Sequence, residues 1–417
     1  MLIIYRFLIV LIIILSPLII FFRLLKKKEH KIRFKEKFCL FSKKRIKGKL
    51  IWFHGASVGE LQSVVPLLEK YEKNKKIKQI LITSNTLSSA KVMEKIKLKK
   101  VIHQFFPIDT NYFSNKFLDY WEPSSAFFID SEIWPNMINS LKKKSIPTIL
   151  INGRITEKTF SKWRLLPRFA KNLFSNFDLC LSSSKQSKKF LIKLGAKKVK
   201  FIGNLKYSQS EKKKANIDSL FKGDFKSRKM WCASSTHETE EIFCGHVHKE
   251  LKKKYKNLLT IIIPRHIERV NSIKSDLKKL GLKIVTLNSE EKIKKDTDIY
   301  IIDSYGKNKS FYSYCKNVFL GGSLISHGGQ NPLEAARYGC NIIHGPYVSN
   351  FFEIFKFLKK IKMSEQISNK NQILIILKKF FSKKSSNTKI KQRLSIIGQN
   401  ILKTTYNEIN LFLKNEI

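Results

Sequence analysis

Acidic residues are scarce in this 417-residue chain: 32 Asp and Glu stand against 81 Lys and Arg, a formal net charge of +49. Such an imbalance points toward an anionic partner, either nucleic acid or an acidic membrane surface. Arginine is scarce too, at 12 of the 81 basic residues. Specific readers of nucleic acid favour Arg forks and aromatic platforms. No such motif is present, so no specific nucleic-acid partner is expected. The joint excess of Lys, Ile, Asn and Phe reads as a compositional bias that leaves solvated lysine faces, which still favour acidic lipid headgroups. The six cysteines are dispersed, without a CxxC pair, which argues against a disulfide scaffold and a zinc site. "CGHVH" at Cys244–His248 looks like a metal cluster, but it sits in a helical pattern where i and i+2 residues point apart. No metal and no obligate protein partner are expected. No repeat of fixed period stands out.

What is present begins with one long apolar run, residues 2–22, "LIIYRFLIVLIIILSPLIIFF". It is long enough to cross a bilayer; Arg6 can snorkel to the interface, and a membrane span tolerates a kink at Pro17. A cleavable signal peptide carries its charge before the apolar run. Here "RLLKKKEHKIRFKEK" follows it, and the positive-inside rule keeps that flank in the cytoplasm. The expectation is a single N-terminal transmembrane anchor, residues 1–25, with a cytoplasmic body.

With 43% hydrophobic residues and 31 Phe, the remainder has material for packed cores, and its length favours two domains. Seven short apolar runs, from "KLIWFHG" to "VKFIGN", alternate with helical patterns. After a Lys/Ser-rich passage near 208–228, six more follow, from "KMWCASS" to "NIIHGP". Such alternation implies parallel sheets covered on both faces. The fold class is α/β, with two doubly wound, Rossmann-like domains over residues 26–207 and 208–417, facing across a cleft. The Lys-rich C-terminal helices are assigned to the second.

Six motifs lie just beyond strand ends, where open α/β sheets bind ligands. In "HGASVGE", Glu60 is read two ways: as a first-turn carboxylate that stabilises the helix, or as a general base for an incoming hydroxyl. In "FFIDSEIWPNMI", Asp130 and Glu132 serve either as helix caps or as substrate-positioning acids. "INGRITEK" and "FIGNLKY" place Arg154 and Lys206 beyond strands. "CASSTHETEE" offers Ser235, Thr236 and His237 as a phosphate cradle at a helix N-terminus, or as plain caps. In "IIIPRHIERV", Arg265 and Arg269 share a helix face if the i, i+4 spacing is helical, and Arg forks suit phosphate. "FLGGSLISHGGQNPLEAARYGC" brings Gly322 and Ser323, a second glycine pair, and Asn331, Pro332, Leu333 and Glu334 at a helix start.

Taken together and in this order, these motifs resemble those of the 3-deoxy-D-manno-octulosonic acid (Kdo) transferases, from the anchor to about residue 355. The resemblance implies a GT-B glycosyltransferase of lipopolysaccharide synthesis that moves Kdo from CMP-Kdo to a lipid A precursor, lipid IVA. The reaction would take place at the cytoplasmic face of the cell inner membrane, with inversion and without a metal or other cofactor. It implies Glu60 as proton acceptor and Asp130 and Lys206 as stabilisers of the transition state. Pro264, Arg265, the segment Tyr305, Gly306 and Lys307, and Asn331 through Glu334 fall on the CMP-binding places. The chain departs from the family pattern at Asp130, where Glu is usual, and at Gly306–Lys307–Asn308, where the pattern reads Gly-Glu-Leu. The alternative is another membrane-associated GT-B transferase with a UDP-sugar donor.

Overall fold

The computed structural model describes residues 2–209, 228–382 and 388–415. They form two compact units, Met1–Gln209 with Ile397–Ile417, and Ser210–Ile396.

The first unit carries a seven-stranded sheet: β1 (Lys49–His54), β2 (Ile77–Ser84), β3 (Val101–Phe105), β4 (Ser125–Ile129), β5 (Thr148–Gly153), β6 (Leu179–Ser182) and β7 (Val199–Phe201), in the order β3-β2-β1-β4-β5-β6-β7. Every pairing is parallel. Side chains alternate across a strand: Leu50 and Trp52 enter one core cluster and Ile51 and Phe53 the other. Both faces are thus buried, as parallel sheets require.

The second unit repeats the plan with β8 (Lys229–Thr236), β9 (Leu258–Pro264), β10 (Ile284–Thr286), β11 (Ile299–Ile301), β12 (Asn317–Leu320), β13 (Asn341–His344) and β14 (Ser364–Gln366). The order is β10-β11-β9-β8-β12-β13-β14, again all parallel. The strand order reverses between β1 and β4 in one unit and between β8 and β12 in the other. Ligands of doubly wound sheets bind at such switch points, beyond the carboxyl ends of the strands.

The C-terminal assignment needs correction. Residues 397–417 belong with the first unit, not with the second. The helix Thr388–Asn415 lays Ile401, Ile409, Phe412 and Leu413 into the core under β1, β4 and β5. These residues repeat at helical spacing and supply the missing apolar layer on that face. Gly398 allows the contact, since a Cβ there would collide with the carbonyl of Tyr207.

The apolar run forms one helix, Leu2–Leu25, long and apolar enough to cross a membrane. Arg6, expected to snorkel, instead donates to the side-chain oxygens of Asn136 and Asn111, and Tyr5 donates to Asp109 at 2.7 Å. Cys244 and His248 are buried in the helix Glu240–Lys254, and among the described residues no cluster has metal-ligand character.

Candidate active site

At the first switch point, β1 runs out into Gly55–Ser57 and the helix Val58–Glu72. Ser57 caps this helix and Glu60 closes a capping box. Its Oε2 accepts the N–H of Ala56 at 2.8 Å and its Oε1 accepts the Ser57 hydroxyl at 2.8 Å. The helix-stabilising role therefore exists. It does not silence the carboxyl chemically. Burial, with the nearby charges of Glu132 and Asp130, raises the pKa of Glu60 above the ordinary carboxylate value despite those hydrogen bonds.

β4 delivers the other two acids. Neither caps the following helix. The helix Pro135–Lys143 is capped from a distance by Asp109, which accepts the N–H groups of Asn136 at 3.0 Å and Met137 at 2.8 Å. Asp130, with a left-handed φ of 61°, accepts the Lys206 ammonium at 3.0 Å and the Asn152 amide at 3.1 Å. Asn152 in turn accepts the N–H of Leu205 at 2.9 Å, fixing the "GNLK" turn beside β5. Glu132 contacts His54 at 3.2 Å and the Trp134 indole N–H at 2.9 Å. Burial pushes its pKa up, but the His54 contact and the indole hydrogen bond outweigh burial and hold it below the usual range. The end of the first sheet thus holds three carboxyls in different states: one raised, one lowered, one ion-paired. Environments that separate titratable groups in this way mark acid–base sites.

At the second switch point, β8 ends at Ser234, Ser235 and Thr236, while β12 leads into Gly321–Ser323. Neither reading of the "SSTH" motif holds as stated. The helix Glu240–Lys254 begins at Thr239 without a side-chain cap. Ser234 bonds the Tyr312 hydroxyl at 2.6 Å and accepts from Asn308, which also donates to Ser235. Thr236 is fully buried. The N–H groups of His237, Gly322, Ser323 and Leu324 all converge on the buried Glu240 carboxylate at 2.7–3.1 Å. That cradle is filled from within. Gly321 is required for it, because a Cβ would collide with the Ser235 carbonyl and come within 2.6 Å of the Thr236 Cα.

Around Gly322 (φ 63°) three histidine rings gather. The His237 ring lies 4.3 Å from His327 and 5.7 Å from His266 between centroids, and its Nε2 meets Gln330 at 3.2 Å. Burial and the charges of His327, His266, Arg265 and Arg269 lower the His237 pKa to about 4. Pro264 ends β9 opposite Thr236, and Arg265 follows, exposed. Arg269 does not share a helix face with it. A 3-10 turn, Ile267–Arg269, intervenes, and Arg269 forms a two-pronged pair with Glu241 at 3.1 and 3.2 Å.

The remaining candidates differ in character. Tyr305 is exposed and donates to Glu268 at 3.0 Å. Gly306 has φ 77°, and Lys307 opens the helix Asn308–Tyr314. Asn331 accepts the N–H of Leu333 at 3.1 Å, Pro332 precedes the helix Leu333–Arg337, and Glu334 lies half-buried in its first turn. Leu333 and Ser323 are fully buried, and the Ser323 hydroxyl ties Leu320 to Gly345. They are parts of the scaffold. Asn152, Asp109, Glu240 and His327 were not singled out from the sequence. Only a buried acid in an acid-poor chain would have signalled Asp109 and Glu240.

Residues 32–209 match the family model described as 3-Deoxy-D-manno-octulosonic-acid transferase (kdotransferase). A 3-deoxy-D-manno-octulosonic acid transferase of Rickettsia bellii is 33% identical over 375 residues, covering 89% of each chain. That of Haemophilus influenzae is 29% identical over 316 residues, covering 75% of this chain and 74% of its own. Among solved structures, the UDP-GlcNAc 2-epimerase of Neisseria meningitidis overlays with a TM-score of 0.58 at 14% identity, covering 88% of this chain and all of its own. That of Listeria monocytogenes overlays at 0.57 and 12%, covering 87% and 97%. The epimerases share the two-sheet GT-B-like architecture. The relatives decide the family: with two seven-stranded Rossmann-like units and carboxyl-rich and histidine-rich switch points, the chain belongs to the Kdo transferases, which are glycosyltransferases.

Proposed function

We propose that this Kdo transferase of lipopolysaccharide biosynthesis takes the sugar from CMP-Kdo and delivers it to a lipid A precursor, lipid IVA, with inversion and with Glu60 as general base. The acceptor hydroxyl oxygen forms a bond to the anomeric carbon of Kdo. The bond from that carbon to the phosphate oxygen breaks on the opposite face, and CMP departs. Glu60 takes the hydroxyl proton. Positive charge for the developing sugar–phosphate separation comes from the protein: Arg265 on the donor unit, and Lys206, oriented by Asp130 and Asn152, on the acceptor unit. The segments Tyr305–Lys307 and Asn331–Glu334 hold the nucleotide. In this reading the reaction draws on no cofactor beyond the donor, and the apolar helix Leu2–Leu25 keeps the enzyme at the cytoplasmic face of the inner membrane.

The observation that supports it most is the raised proton affinity of Glu60 at the switch point of the first sheet, since a base works best with a pKa moved toward the operating pH. The test is Glu60→Gln, assayed by mass spectrometry of lipid IVA incubated with CMP-Kdo. Loss of transfer with intact thermal stabilisation by CMP is expected; retention of most activity would remove Glu60 from the mechanism. Stabilisation by UDP rather than CMP would move the donor to a UDP-sugar.

A further inference from the structure

The helix Leu2–Leu25 is anchored to the first unit at its beginning as well as its end. Tyr5 donates to Asp109, a residue only 1% exposed, and Arg6 donates to Asn136 and Asn111 at 3.0 and 3.1 Å. At the far end, Arg23 of the last turn and Lys37 beyond it meet the buried Glu29, and Arg33 meets Glu36 and Glu94. From Tyr5 to Leu25 the helix rises about 30 Å, the thickness of a bilayer core. A helix that crossed the membrane would carry Tyr5 and Arg6 to the far side, out of reach of Asp109.

The burial pattern agrees. The covered or half-covered positions are Leu2, Tyr5, Arg6, Ile9, Ile13, Ser16, Ile20, Arg23 and Leu24, and all others in the helix are exposed. Spacings of three and four along the whole length define a single face. The opposite face shows Ile3, Phe7, Ile14, Leu18, Phe21 and Leu25, each more than half exposed. It leads into the exposed Lys26, Lys27 and Lys28, and then to Ile32 and Leu40, exposed among Lys31 and Lys35. An apolar strip bordered by cations fits one partner, a leaflet with anionic headgroups.

We propose that this helix lies flat in the membrane–water interface, docked on the first unit through Tyr5 and Arg6, and does not span the bilayer. The dock is close to the carboxyl site. Asp109 and Asn136 belong to the cap of the helix Pro135–Lys143, and Trp134, immediately before it, holds Glu132 beside His54. A flat helix therefore sets the end of the first sheet at headgroup depth, where the polar part of a lipid acceptor lies. The proposal rests on the reading of this helix as the membrane anchor, and the test separates the two.

Cysteines are placed at Ile3 and Tyr112 of the full chain; both positions are exposed, and Tyr112 adjoins Asn111. The six native cysteines are buried. Membranes carrying the variant are washed with alkaline carbonate and treated with a short, membrane-permeant bismaleimide. Retention in the membrane and an internally bridged species, absent from either single-cysteine chain, are expected. Adding Tyr5→Phe and Arg6→Leu should abolish the bridge. Retention without bridging overturns the flat placement alone, because a crossing helix separates the two cysteines by about 30 Å. Bridging that survives Tyr5→Phe and Arg6→Leu overturns the dock. Release by the wash overturns the anchor and this inference together.

Discussion

Glu240→Gln changes one atom and should unsettle the whole second unit. The two carboxylate oxygens accept four backbone N–H groups: Oε2 those of His237 and Gly322, Oε1 those of Ser323 and Leu324. The side chain is 1% exposed, so water does not substitute. Gln keeps a single carbonyl oxygen and turns an NH2 group toward the other two donors. Hydrogen bonds to charged groups contribute about 1.5–3 kcal/mol each, and buried donors left unpaired cost a similar amount. The loss of two therefore destabilises the unit by roughly 3–6 kcal/mol. At about 2–4 °C per kcal/mol for a domain of this size, even the low estimate lowers Tm by roughly 6–12 °C. Calorimetry of the full chain in detergent, with and without CMP, measures both the fall and the expected weakening of CMP stabilisation. The exposed Glu238→Gln, two residues away, is the control and should stay within about 0.5 kcal/mol. If Glu240→Gln moved the transition by less than about 1 °C, the four N–H groups would not depend on the carboxylate, and the internal-cradle argument would fail.

Other outcomes are expected from the same geometry. Lys206→Met leaves the buried Asp130 with the Asn152 amide as its one side-chain partner among the described residues, so the first unit should lose about 3 kcal/mol in denaturant unfolding; Lys206→Met with Asp130→Asn should recover most of it, and activity should stay absent in both. The acid limb of kcat/KM should lie above the ordinary carboxylate value, because Glu60 as the proposed base must be ionised to act and its pKa is raised; a limb at or below pH 4 would contradict the assignment. His237, at about 4 when folded against about 6.5 unfolded, binds fewer protons folded than unfolded between those values, so the second unit should lose stability as pH falls from 6.5 to 4 and keep the deficit below. His237→Gln should flatten that slope in thermal melts. Arg265→Ala should weaken CMP binding by about tenfold, the worth of one charge-assisted contact, and EDTA should leave the transfer rate unchanged.

Much of this was legible in the sequence, and the gaps have physical causes. Most of the strands announce themselves as short apolar runs because the interior of a parallel sheet is buried on both faces. β14 does not: it is Ser364-Glu365-Gln366, an edge strand paired only with β13, whose identity is set by backbone hydrogen bonds that no hydropathy pattern encodes. Glu60, Asp130 and Lys206 could be named because they stand in short motifs after strands. That Asp130 and Lys206 form a pair could not, since 76 residues separate them, and the β4–β5 pairing and the Asn152 bond to Leu205 bring them together. Asp109 caps a helix from 27 residues away, which leaves Asp130 and Glu132 available for other work. The C-terminal helix was misplaced because its apolar stripe identifies a covered face without saying which sheet covers it.

That last helix has a bearing on biogenesis. Its later turns complete the hydrophobic layer beneath the first sheet, yet they are synthesised after the whole of the second unit. Domains fold as units while the chain emerges, so the second unit has its full sequence available before the first does. Until those turns emerge, the sheet bearing Glu60 stands with one flank uncovered. A nascent chain halted shortly before residue 397 should therefore already bind CMP while its amino-terminal half remains open to proteases.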